Sequence, residues 1–431
     1  METRTEVQGD QAGPVSARAG LTRGGRWRLL LAYDGYNLAT NATLSSGVWM
    51  IYLAHHGYSL VAIGLLEMTL HVIKLCAEVP AGIYADLLGR RRSLFLYCGL
   101  SAAAMLCLAL PLWPSVVLSF GLWGLAFAFR GGAEEALLWG LARRCVADER
   151  QQQGYYSRLI SRMYLLALVA EAAGTSLGGV CGQLEEALPF VAQAALALLA
   201  MLPLLALPEE RGASLRQPLG HLQQGLRAVR DDRLLVGLLL LAGLVEGCGL
   251  TIYYYHQLYL VDLGLTLSQV GLVIAVSQLI SFGCTALAPV LLARLGRARL
   301  LPLLLVMLAS GLLVMSLSLA ALSLAGFLVL FQGAYALWQP VMSTWLNERC
   351  SEAQRATVLS LQTGLFSVAM VALFPLFGLG LGEMSYRTLY RGLGLAATGG
   401  LALAALYRFV FWSRRGWQVR RQKKGAGTRA R

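Results

Sequence analysis

Apolar runs long enough to cross the hydrocarbon core of a bilayer, about 20 residues each, alternate with short polar breaks from residue 29 to residue 412. Runs of that length predict helices, because a membrane strand needs only about 10 residues. Twelve are expected, at roughly 29–54, 60–84, 93–111, 115–141, 158–182, 187–207, 234–260, 268–293, 299–319, 322–346, 356–382 and 387–412. The break between the ninth and tenth rests on little more than Ser316, Ser318 and Ser323. The longest link, 208–233, divides the twelve into six and six. Within it Leu215, Leu219, Leu222, Leu226 and Val229 recur at helical spacing opposite Arg216, Gln223, Gln224, Arg227 and Arg230. That pattern predicts an amphipathic helix lying in the membrane interface. The expected plan is therefore a tail over 1–28, a six-helix half over 29–207, the linker 208–233, a second half over 234–412 and a basic tail over 413–431.

Charge orients the plan. If both tails and the linker face the cytoplasm, 32 of the 36 basic residues do too; Lys74 and Arg130 lie within spans, and Arg387 and Arg391 alone fall outside. The opposite loops carry Glu185, Glu186, Asp262 and Glu383. This is the positive-inside asymmetry, and one span more or fewer would invert half of it.

Composition excludes a soluble fold. The chain is 57% hydrophobic and 14% charged, with mean hydropathy +0.60, against about 25% charged in soluble domains. The lipid bilayer is thus the partner of most of its surface. A net charge of +13 would point to nucleic acid in a soluble protein; here topology accounts for it, and no nucleic-acid partner is expected. Only Lys74, Lys423 and Lys424 are lysines, a bias of GC-rich bacterial genomes, so a multi-pass protein of a bacterial plasma (inner) membrane is expected. The eight cysteines have no metal-ligand spacing and read as small buried apolar residues. His55-His56 has no second ligand pair near it in the chain. Neither metal nor cofactor is expected.

Between the second and third runs stand Gly82, Asp86, Gly89, Arg90, Arg91 and Arg92, in the pattern G-x-x-x-D-x-x-G-R-R-R. Gly82 suits close helix approach, Gly89 a tight turn, and the arginines mark the cytoplasmic side. A weaker copy, Pro289, Ala293, Gly296 and Arg297, follows the eighth run. The block resembles the loop 2–3 signature of the major facilitator superfamily of secondary transporters. The stretch GLLEMTLHVIKLCAEVPAGIYADLLGRRRS (64–93), with NERCSEAQRATVLSLQ (347–362), resembles its bacterial drug-efflux branch. The resemblance implies an all-α fold of twelve transmembrane helices in two pseudo-symmetric halves around a central cleft. It also implies that Asp86 latches onto the start of the eleventh helix, where Ser351-Glu352-Ala353-Gln354 reads as a capping box; Gly82, Asp86, Gly89, Arg90 and Arg91 are the gating residues. The alternative is a turn that only sets topology. Gly174-Thr175-Ser176-Leu177-Gly178-Gly179 is similar to an antiporter motif, G-P-x-x-G-G, with Thr175 in place of proline. Arg130 lies where antiporters of the family carry arginine, but Glu134 replaces the glycine of their R-x-x-x-G.

Charges inside spans are expensive and should face a cleft or a partner. Glu67, His71, Lys74 and Glu78 occupy one face of the second span, either a proton-coupled ladder or a permanent ion-paired set. Arg130 and Glu134 are spaced to pair. A carboxyl in low dielectric is easily held neutral and can carry a proton; Asp34, Glu134 and Glu171 are the candidates, with Asp34 foremost. For substrate, the seventh span offers Tyr255 and His256 within an aromatic cluster that could equally be an interface belt. The tenth offers Gln332, Tyr335 and Gln339 on one face with Trp338 beside them. Signatures of soluble enzymes, including a P-loop, are absent. A monomeric carrier, not an enzyme, is expected, exchanging a small-molecule substrate for protons. Efflux of amphipathic compounds leads, a carrier for a defined metabolite is the alternative, and a transport-dead sensor in a carrier fold is a remote third.

Overall fold

The computed structural model describes residues 22–146, 148–210, 230, 232–350 and 352–404; these form helices and connecting turns, with no strand among them. Among the described residues, ten helices are long and apolar enough to cross a membrane. The first and twelfth spans complete the expected set. The first is broken into Arg23–Asn41 and Trp49–His55; the twelfth is helical over 386–404, where the described residues end. Residues 211–229 and 231 of the linker 208–233, and with them the expected amphipathic helix, lie outside the described residues, as do the outer parts of both tails, Ser351 and the side chains of 352–357.

Local chemistry explains the boundaries. The Asn41 side chain turns back to donate to the Asn37 carbonyl at 2.8 Å, and the first helix ends there. Ser59 caps the second, Leu60–Leu88, by accepting from the Ala62 amide. Gly131 and Gly132 split the fourth into Trp113–Arg130 and Ala133–Cys145, with Gly132 at φ +69°. Thr266 and Gln269 form a capping box at the start of the eighth, Leu267–Leu295. The faint break is present, but the ninth helix, Arg297–Met315, ends before the expected 319, and Ser323 closes the turn by donating to the Met315 carbonyl at 3.0 Å. The tenth begins at Ala320, passes through a π-helical stretch at Gly326–Phe331 and ends at Arg349.

The repeat between the halves is structural. Gly89 ends the second span at φ +117°, and Gly296 ends the eighth at φ +68°. Each is also the N-cap of the following helix. Both conformations are ones that side-chain-bearing residues avoid.

The halves meet along two seams, the second span against the eleventh (Glu352–Glu383) and the fifth (Glu149–Leu184) against the eighth. In the latter, Gly179 and Gly271 face each other so closely that a Cβ on either would stand 3.1 Å from the other's Cα. Small residues bring membrane helices together in this way, so the Gly178-Gly179 pair acts through packing.

Candidate functional site: a cleft between the halves

One end of the molecule holds the clustered arginines, and the other holds the acidic loops. At the acidic end the halves are closed. Trp49 of the first span packs against Phe120 of the fourth, Tyr254 of the seventh and Phe374 of the eleventh, with ring centroids 5.5, 5.4 and 6.4 Å away. The Tyr255 hydroxyl donates to Phe374 O at 2.9 Å and lies 3.3 Å from Leu60 O of the other half. Ser268 of the eighth span bonds Gln183 of the fifth.

Toward the basic end the facing surfaces open. On the second span Glu67 and His71 are buried, Lys74 is half-buried and Glu78 exposed; on the tenth Gln332 is buried, Tyr335 half-buried and Gln339 exposed. These positions mark a cleft region between the halves, with buried polar side chains near the acidic end and rising exposure toward the basic end.

Four polar groups line or adjoin it. In the first half, Arg130 lies at the glycine break of the fourth span. Its Nε donates to Glu134 at 2.8 Å, its Nη2 to Asn41 Oδ1 at 2.9 Å and its Nη1 to the Tyr97 hydroxyl at 3.3 Å. The guanidinium also stands 5.3 Å over the Tyr97 ring. The expected Arg130–Glu134 pair therefore exists, inside a wider network whose Asn41 and Tyr97 the chain pattern did not single out. Asn41 read as part of an apolar span and Tyr97 as one aromatic among many.

Across the fifth–eighth seam, Gln278 Nε2 donates to Glu171 Oε1 at 2.9 Å. This joins a partly buried acid of one half to an amide of the other. Within the second half, Gln362 Nε2 donates to Glu246 at 2.8 Å, and Tyr335 donates to the Glu246 carbonyl at 3.2 Å. At the second–eleventh seam, Glu67 and His71 approach to 3.5 Å, and the His71 ring meets Phe366 edge-on at 5.6 Å. The four-residue ladder is thus half paired; Lys74 and Glu78 influence each other electrostatically without a contact ion pair.

Asp34 stands apart from the cleft acids. Arg162 of the fifth span holds it through a 2.5 Å bond, so its charge already has a permanent partner in its own half.

Two substrate candidates are fully buried in this form. His256 is 0% exposed, stacked on Phe327 at 4.1 Å with Nδ1 3.4 Å from the Tyr390 hydroxyl. Trp338 is also 0% exposed, in the core of the second half. Both belong to packing, because helical spacing does not say which face turns to a neighbouring span. Tyr255 lies in the closed end described above. Gln332 donates to Ser281 at 3.0 Å, next to the cleft.

At the basic end the loop signature has partners that the chain pattern missed. Glu209 accepts from the Arg91 amide at 3.0 Å and lies 3.5 and 3.9 Å from the Arg91 and Arg92 side chains. Glu210 holds Arg144 at 2.7 Å and Arg143 at 3.7 Å, and its carbonyl accepts from the Arg90 amide. A Cβ at Gly89 would collide with Glu209. These two acids follow the sixth span directly, and reading them as linker concealed them. Asp86 is half exposed, 3.9 Å from Arg90. Among the described residues nothing stands within 4 Å of a Cβ at Gly82, so the close helix approach expected there is not made.

Comparison with known proteins agrees with this architecture. Residues 35–373 match the family model described as Major Facilitator Superfamily. No curated protein matches by sequence. Among solved structures, a mutant of the nucleoside transporter NupG has a TM-score of 0.73 at 13% identity, covering 88% of this chain and 99% of that one. A bacterial homologue of the human lysosomal transporter Spinster, inward-facing and unoccupied, scores 0.68 at 17% identity, covering 90% and 97%. A D-xylose–proton symporter scores 0.64 at 17%, covering 88% and 97%. At these identities the likeness is one of fold. With a family match across most of its length and twelve spans in two six-helix halves, the chain belongs to the Major Facilitator Superfamily.

Proposed function

We propose that this protein is a proton-coupled secondary transporter that exports small amphipathic compounds from a bacterial cytoplasm by alternating access. The positive-inside rule assigns the basic end and both tails to the cytoplasm, which makes the described form inward-open. The single observation behind proton coupling is the Glu171–Gln278 bond. Glu171 sits in the seam between the halves, its hydrogen-bond partner is an amide, and that amide belongs to the other half. An ionised carboxylate there is poorly compensated, whereas a protonated one can be released as the halves rock apart. Proton occupancy and the rocking motion then depend on the same side chain. Asp34, held by Arg162, becomes an internal tether of the first half, and the Glu134 charge is spent on Arg130.

The gates follow from the same geometry. The aromatic cluster around Trp49 closes the outer side. Asp86, exposed in this inward-open form, is free to engage the eleventh helix when the cytoplasmic side closes, while Glu209 and Glu210 keep Gly89, Arg90 and Arg91 rigid within the first half.

A second reading, transport of a defined polar metabolite, is favoured by the Arg130 network. Fixed donors and acceptors reject substrates that leave them unpaired, which suits one polar solute better than many apolar ones. Counterflow in proteoliposomes with a fluorescent lipophilic cation and with labelled nucleosides and sugars separates the two. For proton coupling, Glu171→Gln should lose accumulation driven by a pH gradient and keep downhill exchange, while Asp34→Asn keeps both. Gradient-driven accumulation by Glu171→Gln would remove the role from Glu171.

A further inference from the structure

His55 and His56 end the first span, and the fold brings Glu186, from the turn between the fifth and sixth spans, to them. His55 Nδ1 lies 2.7 Å from Glu186 Oε1, and His56 Nδ1 lies 3.7 Å from Glu186 Oε2. One ligand atom from each of the three residues lies within 4.8 Å of the others. We propose that these residues form a binding site for a first-row divalent transition ion of the zinc class, on the acidic face of the transporter.

The chemistry and the spacing agree. Two imidazoles and a carboxylate are the donor set that zinc takes when three protein ligands leave a fourth position for water. Donors about 2.0–2.2 Å from a tetrahedral ion stand about 3.3 Å from each other, a separation that the three ligand atoms, all within 4.8 Å of one another, can reach by side-chain rotation. Tyr52 O, 2.9 Å from His56 Nδ1, can accept from that nitrogen and leave the Nε2 lone pair for the ion, the carbonyl support that orients metal-bound histidines. The side chains of His55 and Glu186 are 71% and 40% exposed, so a dissolved ion can reach them. Glu185 and Asp262 are other acids of the same face, and Asp262 lines with His55 and Glu186 a cavity of about 500 Å³ between the halves. Negative charge on that face concentrates cations there.

The ion would join the end of the first span to the fifth–sixth turn at the rim of the closed side. That arrangement stands apart from the substrate cleft and does not depend on the coupling role of Glu171.

The test is titration of Zn²⁺ into the purified full chain, without a polyhistidine tag, in detergent. A chromophoric chelator reports free ion. One equivalent should bind with a micromolar dissociation constant. His55→Gln and Glu186→Gln should each weaken it at least tenfold, and the double variant should abolish it. Size-exclusion profiles of the variants establish that they remain folded. Should a variant at one position fail that check, His56→Gln serves in its place with the same expectation. No binding by the wild type would overturn the proposal. So would equal binding by wild type and double variant, which would place the ion on the cysteines.

Discussion

Arg130 carries the densest set of polar contacts in the cleft region, and its value is mutual. Its side chain is 22% exposed and that of Glu134 12%, so each depends on the other more than on water. Removing one partner of a buried pair costs about 3–5 kcal/mol, because the survivor is left uncompensated; partial exposure puts this pair toward the lower figure. Arg130→Ala should therefore lower the melting temperature in detergent by several degrees, and the added change Glu134→Ala should recover part of the loss. Equal melting of Arg130→Ala and wild type would mean that the network is not structural. Glu171 differs in kind. Its partner is neutral, so Glu171→Gln should leave stability nearly unchanged and act on coupling alone, a separation read by comparing melting with gradient-driven transport.

Caps and turns at the basic end set the behaviour of whole helices. Gly89→Ala forces a side chain into φ +117° and into Glu209. Such backbone strain costs about 1–3 kcal/mol, and the variant should melt earlier and insert less well, as measured by membrane yield and thermal unfolding. Glu209→Ala in the same background relieves the clash but not the strain, so rescue should be partial. Asp232 caps the seventh span through the Leu234 and Leu235 amides and accepts two bonds from Arg349. The Arg349 hydrogen bonds hold its carboxyl below the usual carboxylate range. A lowered folded-state value contributes stability above the unfolded pKa and loses it as pH falls through the folded one. Wild type and Asp232→Asn should thus differ in melting near neutral pH and converge in strong acid. A difference that grows on acidification would contradict the Arg349 attribution.

For the molecule as a whole, the closed acidic end is the contact that alternating access must break. In a cysteine-free background, the pair Gln183→Cys and Ser268→Cys should cross-link under oxidation and stop transport, with recovery on reduction. Continued turnover while cross-linked would mean that the fifth–eighth seam does not open at that end. Orientation is tested separately. Reporter fusions at Gly212 and Arg431 should be cytoplasmic, since that arrangement turns 32 of the 36 basic residues inward.

The chain pattern alone determined the span count, the grouping into two halves and the repeat of a glycine turn after the second and eighth spans. Length against bilayer thickness, charge asymmetry and glycine's backbone freedom are local or one-dimensional properties. The Arg130–Glu134 pair was legible for the same reason, since one helical turn separates the two. Only the tertiary structure decided the rest. Asp34 finds Arg162, Glu171 finds Gln278, Arg91 finds Glu209, and His55 finds Glu186, each across at least 107 positions of chain. It also decided that His256 and Trp338 face inward and that Gln339 is exposed. In lipid every helix is apolar around most of its surface, so periodicity cannot tell a cleft from a neighbour. Which face meets which is settled by packing between helices distant in sequence.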